Sequence, residues 1–120
     1  GQWGERRQRF ERARDQYRAL ATENPAREPV VRNAGITSRQ LASLHYDKGR
    51  GAEAASFARE ALEVSARVLA TRLDDTALQL EVATDAYVLG MVLDAAGADG
   101  EAPAHYERSR AILGAIHDAD

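Results

Sequence analysis

Residues 41–62 read LASLHYDKGRGAEAASFAREAL and residues 89–109 read LGMVLDAAGADGEAPAHYERS. Shifted by 48 positions, the two stretches superpose Leu41 on Leu89, Ala42 on Gly90, His45 on Leu93, Gly49 on Gly97, Ala54 on Ala102, Ala58 on Tyr106 and Ala61 on Ser109. Steps of three and four before the glycine mark one face of a helix, and the same steps after it mark one face of a second helix. A third, partial copy comes earlier in Ala13, Tyr17, Leu20 and Pro25, which supply only the second helix of such a unit. Repetition on this scale implies stacked helical hairpins, an architecture that generally provides a surface and not a reaction.

The order Leu-Gly or Leu-Ala, a large residue, a turn glycine, then Ala, an aromatic or Ala, a small residue and Pro resembles the tetratricopeptide repeat (TPR) family. Leu89, Gly90, Leu93, Gly97, Ala102, Tyr106 and Ser109 match one repeat, and Leu41, Ala42, His45, Gly49, Ala54, Ala58 and Ala61 match another. Ser38 and Ala86 stand where the family carries an early Trp. The family repeats every 34 residues, whereas Ala13 to Ala54 spans 41 and Ala54 to Ala102 spans 48. The excesses are one and two sevens, and seven residues are about two helical turns, so a lengthened helix keeps its apolar stripe facing the same way. The expected fold is all-α: about five helices in antiparallel hairpins, stacked as a short TPR-like α-solenoid with lengthened helices. One domain spans residues 1–120, with 5–25 as the second helix of a partial repeat, 28–72 as one repeat and 75–117 as another. Because Gly1 opens directly into a second helix, the chain reads as a piece of something larger.

Composition agrees with one helical core. A chain of 120 residues buries roughly two-thirds of its unfolded surface. Alanine, arginine, leucine and glutamate dominate, and proline is scarce, which favours helix almost throughout. The absence of cysteine excludes a disulfide framework, a thiolate nucleophile and a soft-metal site. No apolar run reaches the roughly 18 residues that span a bilayer, and no signal-peptide pattern opens the chain. A cytoplasmic setting without membrane contact is the expectation, and the Ala/Arg-rich usage is that of a GC-rich bacterial gene.

Five helices are expected. The first runs from about Glu5 to Thr22 and stops before Pro25, and the second runs from Glu28-Pro29 to Asp47-Lys48-Gly49. Thr37 and Ser38 offer a cap for a shorter second helix, and Gly35 lies inside the longer one, which we favour. The third runs from about Ala52 to Thr71. Asp74-Asp75-Thr76 caps the fourth, with Thr76 and Gln79 at capping-box spacing. The fourth ends at Ala96, Gly97-Ala98-Asp99-Gly100 turns the chain, and the fifth spans about Glu101 to His117. The core is expected at Leu41, Leu44, Ala58, Ala61, Leu62, Ser65, Val68, Val82, Ala86, Leu89, Leu93, Tyr106, Leu113 and Ile116. Ala54, Ala58, Ala61, Gly90 and Ala102 are small so that neighbouring helices approach closely.

Catalysis is not expected. His45, His105 and His117 are scattered and none has a metal-ligand spacing, so neither a metal nor a cofactor is implied. His45 falls in a core slot, where a hydrogen-bonded core histidine is the plain reading. Asp74-Asp75 reads as a helix cap, not a catalytic carboxylate pair. There is no glycine-rich phosphate loop and no GxSxG motif.

Charge is unevenly spread. Residues 1–50 carry eleven Lys/Arg against six Asp/Glu, and residues 51–120 carry five against thirteen. Arg6, Arg7, Arg9, Arg12, Arg14 and Arg18 crowd the first helix, a pattern compatible with phosphate contacts. Glu5-Arg9 and Arg7-Glu11 stand at ion-pair spacing, however, so a solvated helix face competes with the nucleic-acid reading. The acidic second half suits a basic segment or another copy of the chain.

The resemblance places a binding wall on the first helix of each hairpin. Phasing from Leu41 points Arg32, Ile36, Arg39, Gln40, Ser43, Tyr46 and Asp47 toward it, and phasing from Leu89 points Leu80, Thr84, Tyr87, Val88, Met91 and Asp94. The residues expected to touch a partner are Arg39, Ser43, Tyr46, Asp47, Thr84, Tyr87, Val88, Met91 and Asp94. Some family members clamp a terminal carboxylate with lysine and asparagine here. Asp47 and Ala95 occupy two of the lysine places and Ser43 and Met91 the asparagine places, which argues against such a clamp. Against the docking reading, Tyr87 and Met91 have an alternative use in packing on an adjacent helix. The expected role is a non-catalytic protein-protein interaction scaffold that binds a peptide or partner helix, as the regulatory portion of a larger bacterial protein. The alternatives are a homo-oligomerisation module, with Trp3 and Phe10 at one end and Ile112 and Ile116 at the other, and nucleic-acid binding through the first helix.

Overall fold

The structure, a computed structural model, describes residues 1–98 and 100–119; Asp99 of the expected turn lies outside the described residues. Five helices form: α1 (Gln2–Glu23), α2 (Glu28–Asp47), α3 (Gly51–Leu69), α4 (Thr76–Ala95) and α5 (Ala102–Ala119), with no strand among the described residues. Each helix packs on its neighbours in the chain, and α2 also touches α4. Ion pairs show two layers. Arg14 and Arg18 of α1 reach Glu60 of α3 at 2.8 and 3.1 Å, and Arg59 of α3 reaches Glu101, just before α5, at 2.6 Å. On the other layer Arg32 and Arg39 of α2 pair with Glu81 and Asp85 of α4. This is a stack of helical hairpins.

Local chemistry explains the boundaries. α1 stops where Asn24 folds back, its backbone N–H and its side-chain Nδ2 both donating to the Leu20 carbonyl, just before Pro25. The longer α2 forms, and Thr37 and Ser38 do not cap: their hydroxyls donate to the Asn33 and Ala34 carbonyls at 2.7 and 3.1 Å, one turn back inside the helix. Gly35 earns its place there, because a Cβ would stand 2.8 Å from Cγ1 of Val64 on α3.

The two turns that follow the repeated faces are built alike. Gly49 (φ 72°) donates to the Tyr46 carbonyl and Arg50 to that of His45; Gly97 (φ 81°) donates to Asp94 and Ala98 to Leu93. Both are Schellman ends, in which glycine takes the left-handed conformation and the last carbonyls of the helix find donors. At the start of α4 the capping box does not form. Asp75 is the cap, accepting from the Leu78 N–H at 3.0 Å, and the Gln79 side chain donates instead to the Leu73 carbonyl.

The main core gathers Ala42, Ala54, Ala55, Ala58, Leu62, Val82, Ala86, Leu89, Val92, Leu93 and Ala102, and a smaller cluster joins Val31, Val68 and Leu78. The small residues act as expected: a Cβ on Gly90 would lie 2.9 Å from the Tyr106 ring. Leu113 is a correction. It is 47% exposed, because α5 packs on α4 alone and among the described residues nothing covers its other face. Glu5 and Arg9 also form no pair, whereas Arg7 and Glu11 do at 3.2 Å.

Candidate functional site

The candidate site lies along α2 and α4. Thr84, Tyr87, Met91 and Asp94 follow one another at steps of three and four on α4, and Ser43 and Asp47 stand one turn apart on α2. Ser43, Asp47, Thr84 and Asp94 are exposed, Met91 is half-buried, and Tyr87 keeps 52% of its surface in water. Three other expected residues are engaged within the molecule. Arg39 is bonded to Asp85, and Tyr46 and Val88 are half-buried against the main core. These three define the floor and frame of the face and offer less to a partner than the others.

Tyr87 packs on Tyr106 of α5, with ring centres 5.5 Å apart and planes inclined by 59°. The Tyr106 hydroxyl donates to Oδ2 of Asp94 at 3.0 Å. Burial first, then this bond to a carboxylate, pushes the Tyr106 phenol up to about 12, with the nearby Tyr87 and Tyr46 adding to the shift. The phenol therefore remains a donor, and Asp94 is held in one orientation. Sequence reasoning put Tyr106 in the core and so missed its link to the face. The three-residue step between Tyr87 and Gly90 was the available signal, since the glycine makes room for the ring that Tyr87 touches.

A groove of about 320 Å³ extends the face across α2 toward α1, lined by Arg6, Phe10, Arg39, Gln40, Ser43, Leu44 and Asp47. Arg39, Ser43 and Asp47 are shared with the expected site, while Arg6 and Phe10 come from α1 and were not assigned to it. Phe10 was expected as an end surface, yet it sits in this groove. Trp3 turns inward as well, donating from Nε1 to the Leu44 carbonyl at 3.3 Å.

The histidines stand apart from this face. His45 is buried, as its slot implies, but among the described residues neither ring nitrogen has a hydrogen-bond partner, which corrects the hydrogen-bonded reading. It stacks on Phe57 with centres 5.3 Å apart and meets the Trp3 ring edge-on at 5.7 Å. Burial lowers its pKa, and Arg50 lowers it further. His105 is also lowered, by burial and then by Arg59. Among the described residues no helix is long and apolar enough to cross a membrane. Comparison with models of known families, with curated proteins and with solved structures finds no match for this chain.

Proposed function

We propose that this chain is a divergent TPR-like solenoid segment that serves as a non-catalytic scaffold, holding a peptide or partner helix along α2 and α4. Its setting on this reading is the regulatory portion of a larger bacterial, cytoplasmic protein, a use common in the family it resembles, with an Ala/Arg-rich composition that suits a GC-rich bacterial source. The observation that carries the reading is Tyr87: a large aromatic residue on a rigid helix, half in water, backed by Tyr106 and flanked by Met91. Aromatic residues held this way are typical anchors of protein interfaces, since little side-chain entropy is lost when a partner covers them. The groove beside Phe10 and Leu44 gives an apolar segment a continuation across α2.

The test is selection of binding peptides from a displayed helical library, followed by titration against the Tyr87→Ala/Met91→Ala variant. Loss of binding with an unchanged far-ultraviolet spectrum is the expected result. Undiminished affinity in the double variant overturns the docking face.

Self-assembly is favoured by one separate observation, the exposed Leu113 on α5. Light scattering over a concentration series decides it, and a persistent monomer removes it. For the nucleic-acid reading, Arg7, Arg14 and Arg18 are committed to carboxylates, while Arg6, Arg9 and Arg12 have no ion-pair partner among the described residues. Binding of that kind weakens steeply with salt, and no binding at low salt dismisses it.

A further inference from the structure

The two helices that carry the proposed face run parallel, because Arg32 pairs with Glu81 and Arg39, two turns later, pairs with Asp85. Their carboxyl-terminal turns therefore arrive at the same end of the stack. Both turns end in acid. Asp47 is the last residue of α2 and Asp94 the last but one of α4; each is exposed, and neither has an ion-pair partner among the described residues. A carboxylate at the negative pole of a helix is placed against the dipole.

Most of the nearby cations are engaged elsewhere. α4 contains no lysine or arginine, and Arg32 and Arg39, which reach it from α2, are spent on Glu81 and Asp85. Lys48 lies over the Trp3 ring, 5.6 Å from its centre. Arg6 lines the α1–α2 groove together with Asp47, which leaves Asp94 as the less compensated of the two. Asp94 is held by a hydrogen bond from Tyr106, and the ring of Tyr106 packs in turn on that of Tyr87, half in water. A cation within about 6 Å of a phenol ring is attracted to its face, and an ionised carboxylate next to that ring adds a charge partner.

We infer that this end of the face receives the cationic flank of a partner peptide, with lysine or arginine side chains against Asp94 and over Tyr87 and an apolar neighbour against Met91. The inference rests on the docking role proposed above and names the chemistry of the partner: an amphipathic segment whose apolar stripe is bordered by positive charge. An acidic segment would meet Asp94 and Asp47 with like charge.

The experiment uses two fluorescent helical peptides of equal length with the same leucine stripe, one bordered by lysine and one by glutamate. Both are titrated against the protein and its Asp94→Asn and Tyr87→Ala/Met91→Ala variants, with circular dichroism as a check on folding. The lysine peptide is expected to bind at least about tenfold more tightly than the glutamate peptide. Asp94→Asn is expected to cost the lysine peptide roughly five- to tenfold and to tighten the glutamate peptide, and the preference shrinks in high salt. Glutamate-peptide binding as tight as lysine-peptide binding, or an Asp94→Asn variant that binds the lysine peptide undiminished, overturns the inference. If Tyr87→Ala/Met91→Ala still weakens that binding, the docking face stands without it. If neither peptide binds, or both bind the double variant as well as the parent, the docking face falls and the inference falls with it.

Discussion

Arg39 of α2 donates from Nε to Oδ1 of Asp85 on α4 at 2.6 Å, and the Asp85 side chain keeps only 1% of its surface in water. Burial pushes the Asp85 carboxyl up from its ordinary range, and Arg39 pulls it back down. The pair joins the two helices through residues 46 positions apart in sequence. It sets how α2 and α4 lie side by side, and so sets the geometry of the proposed face.

The two partners of that pair are unequal. Arg39→Met strands a buried carboxylate and is expected to cost about 3–5 kcal/mol at pH 7. Asp85→Asn leaves an amide that still accepts, facing an arginine that retains access to water, and is expected to cost less than half as much. The variants also differ in pH dependence. Since Asp85 has a raised pKa in the folded state, its contribution is fully present below the unfolded value and is lost as pH rises through the folded one. Relative to the Arg39→Met/Asp85→Asn double variant, Arg39→Met gains stability as pH falls from 7 toward 4. Urea denaturation across that range checks both statements, and equal costs with parallel pH profiles would contradict them.

His45 gives the opposite slope. Its pKa is lowered by burial from an ordinary value of 6.5, so the stability it contributes is present above about that pH and is lost as pH falls through the folded value. The groups around it are Arg7 and Glu11 from α1, Arg50 before α3 and Glu53 within it. His45→Phe keeps an aromatic ring on Phe57 and is expected to flatten the loss of stability below pH 6.5. The part due to His105 should remain, because that ring is lowered too. Trp3, the single tryptophan, touches His45 edge-on and makes its fluorescence a local reporter. A variant that retains the full acid loss removes His45 as its source.

Gly90 and Tyr106 form a pair whose coupling changes the sign of a substitution. Gly90→Ala improves helix propensity by about 1 kcal/mol, but its Cβ would stand 2.9 Å from the Tyr106 ring. Overpacking of this kind costs about 1–3 kcal/mol, so the single substitution is expected to destabilise. In a Tyr106→Ala background the obstruction is gone, and Gly90→Ala should stabilise. A thermal-melt cycle over the four proteins measures this coupling, and the same sign in both backgrounds would refute the close approach.

The Tyr106 phenol is held up at about 12 by burial and by its bond to Asp94. Absorbance titration should show a late tyrosine step near pH 12. Asp94→Asn removes the charge and is expected to shift that late step downward without abolishing it, because burial is the larger cause. A late step that does not move would separate Tyr106 from Asp94.

Much of the fold was legible because it depends on neighbours in sequence. Steps of three and four placed Leu41, Leu89, Val82 and Leu93 in the core, and Gly49 and Gly97 announced turns that only a left-handed residue closes so tightly. The fourth helix began where a cap was expected, yet Asp75 and not Thr76 supplied it. Three adjacent capping residues offer equivalent chemistry, and the path of the loop from Leu69 decides which of them faces the free N–H groups. Leu113 has a core-like spacing and lies in water, since spacing records which face a residue shares and not whether another helix covers that face.

The sequence by itself determined the helices, their small-against-large packing stripes and the face on which Ser43, Asp47, Thr84, Tyr87, Met91 and Asp94 lie, because helical periodicity is a property of the local backbone. Only the tertiary structure decided that Arg39 is spent on Asp85, that Phe10 and Arg6 line a groove with Ser43 and Asp47, that His45 lacks a hydrogen-bond partner, and that Tyr106 ties Tyr87 to Asp94. Except for the links of Tyr106 to Tyr87 and Asp94, 19 and 12 positions away on the adjoining helix, these relations join residues more than thirty positions apart or concern the full surroundings of one side chain. They exist only once helices from different parts of the chain have packed, and no periodicity along the chain encodes which side chains then meet.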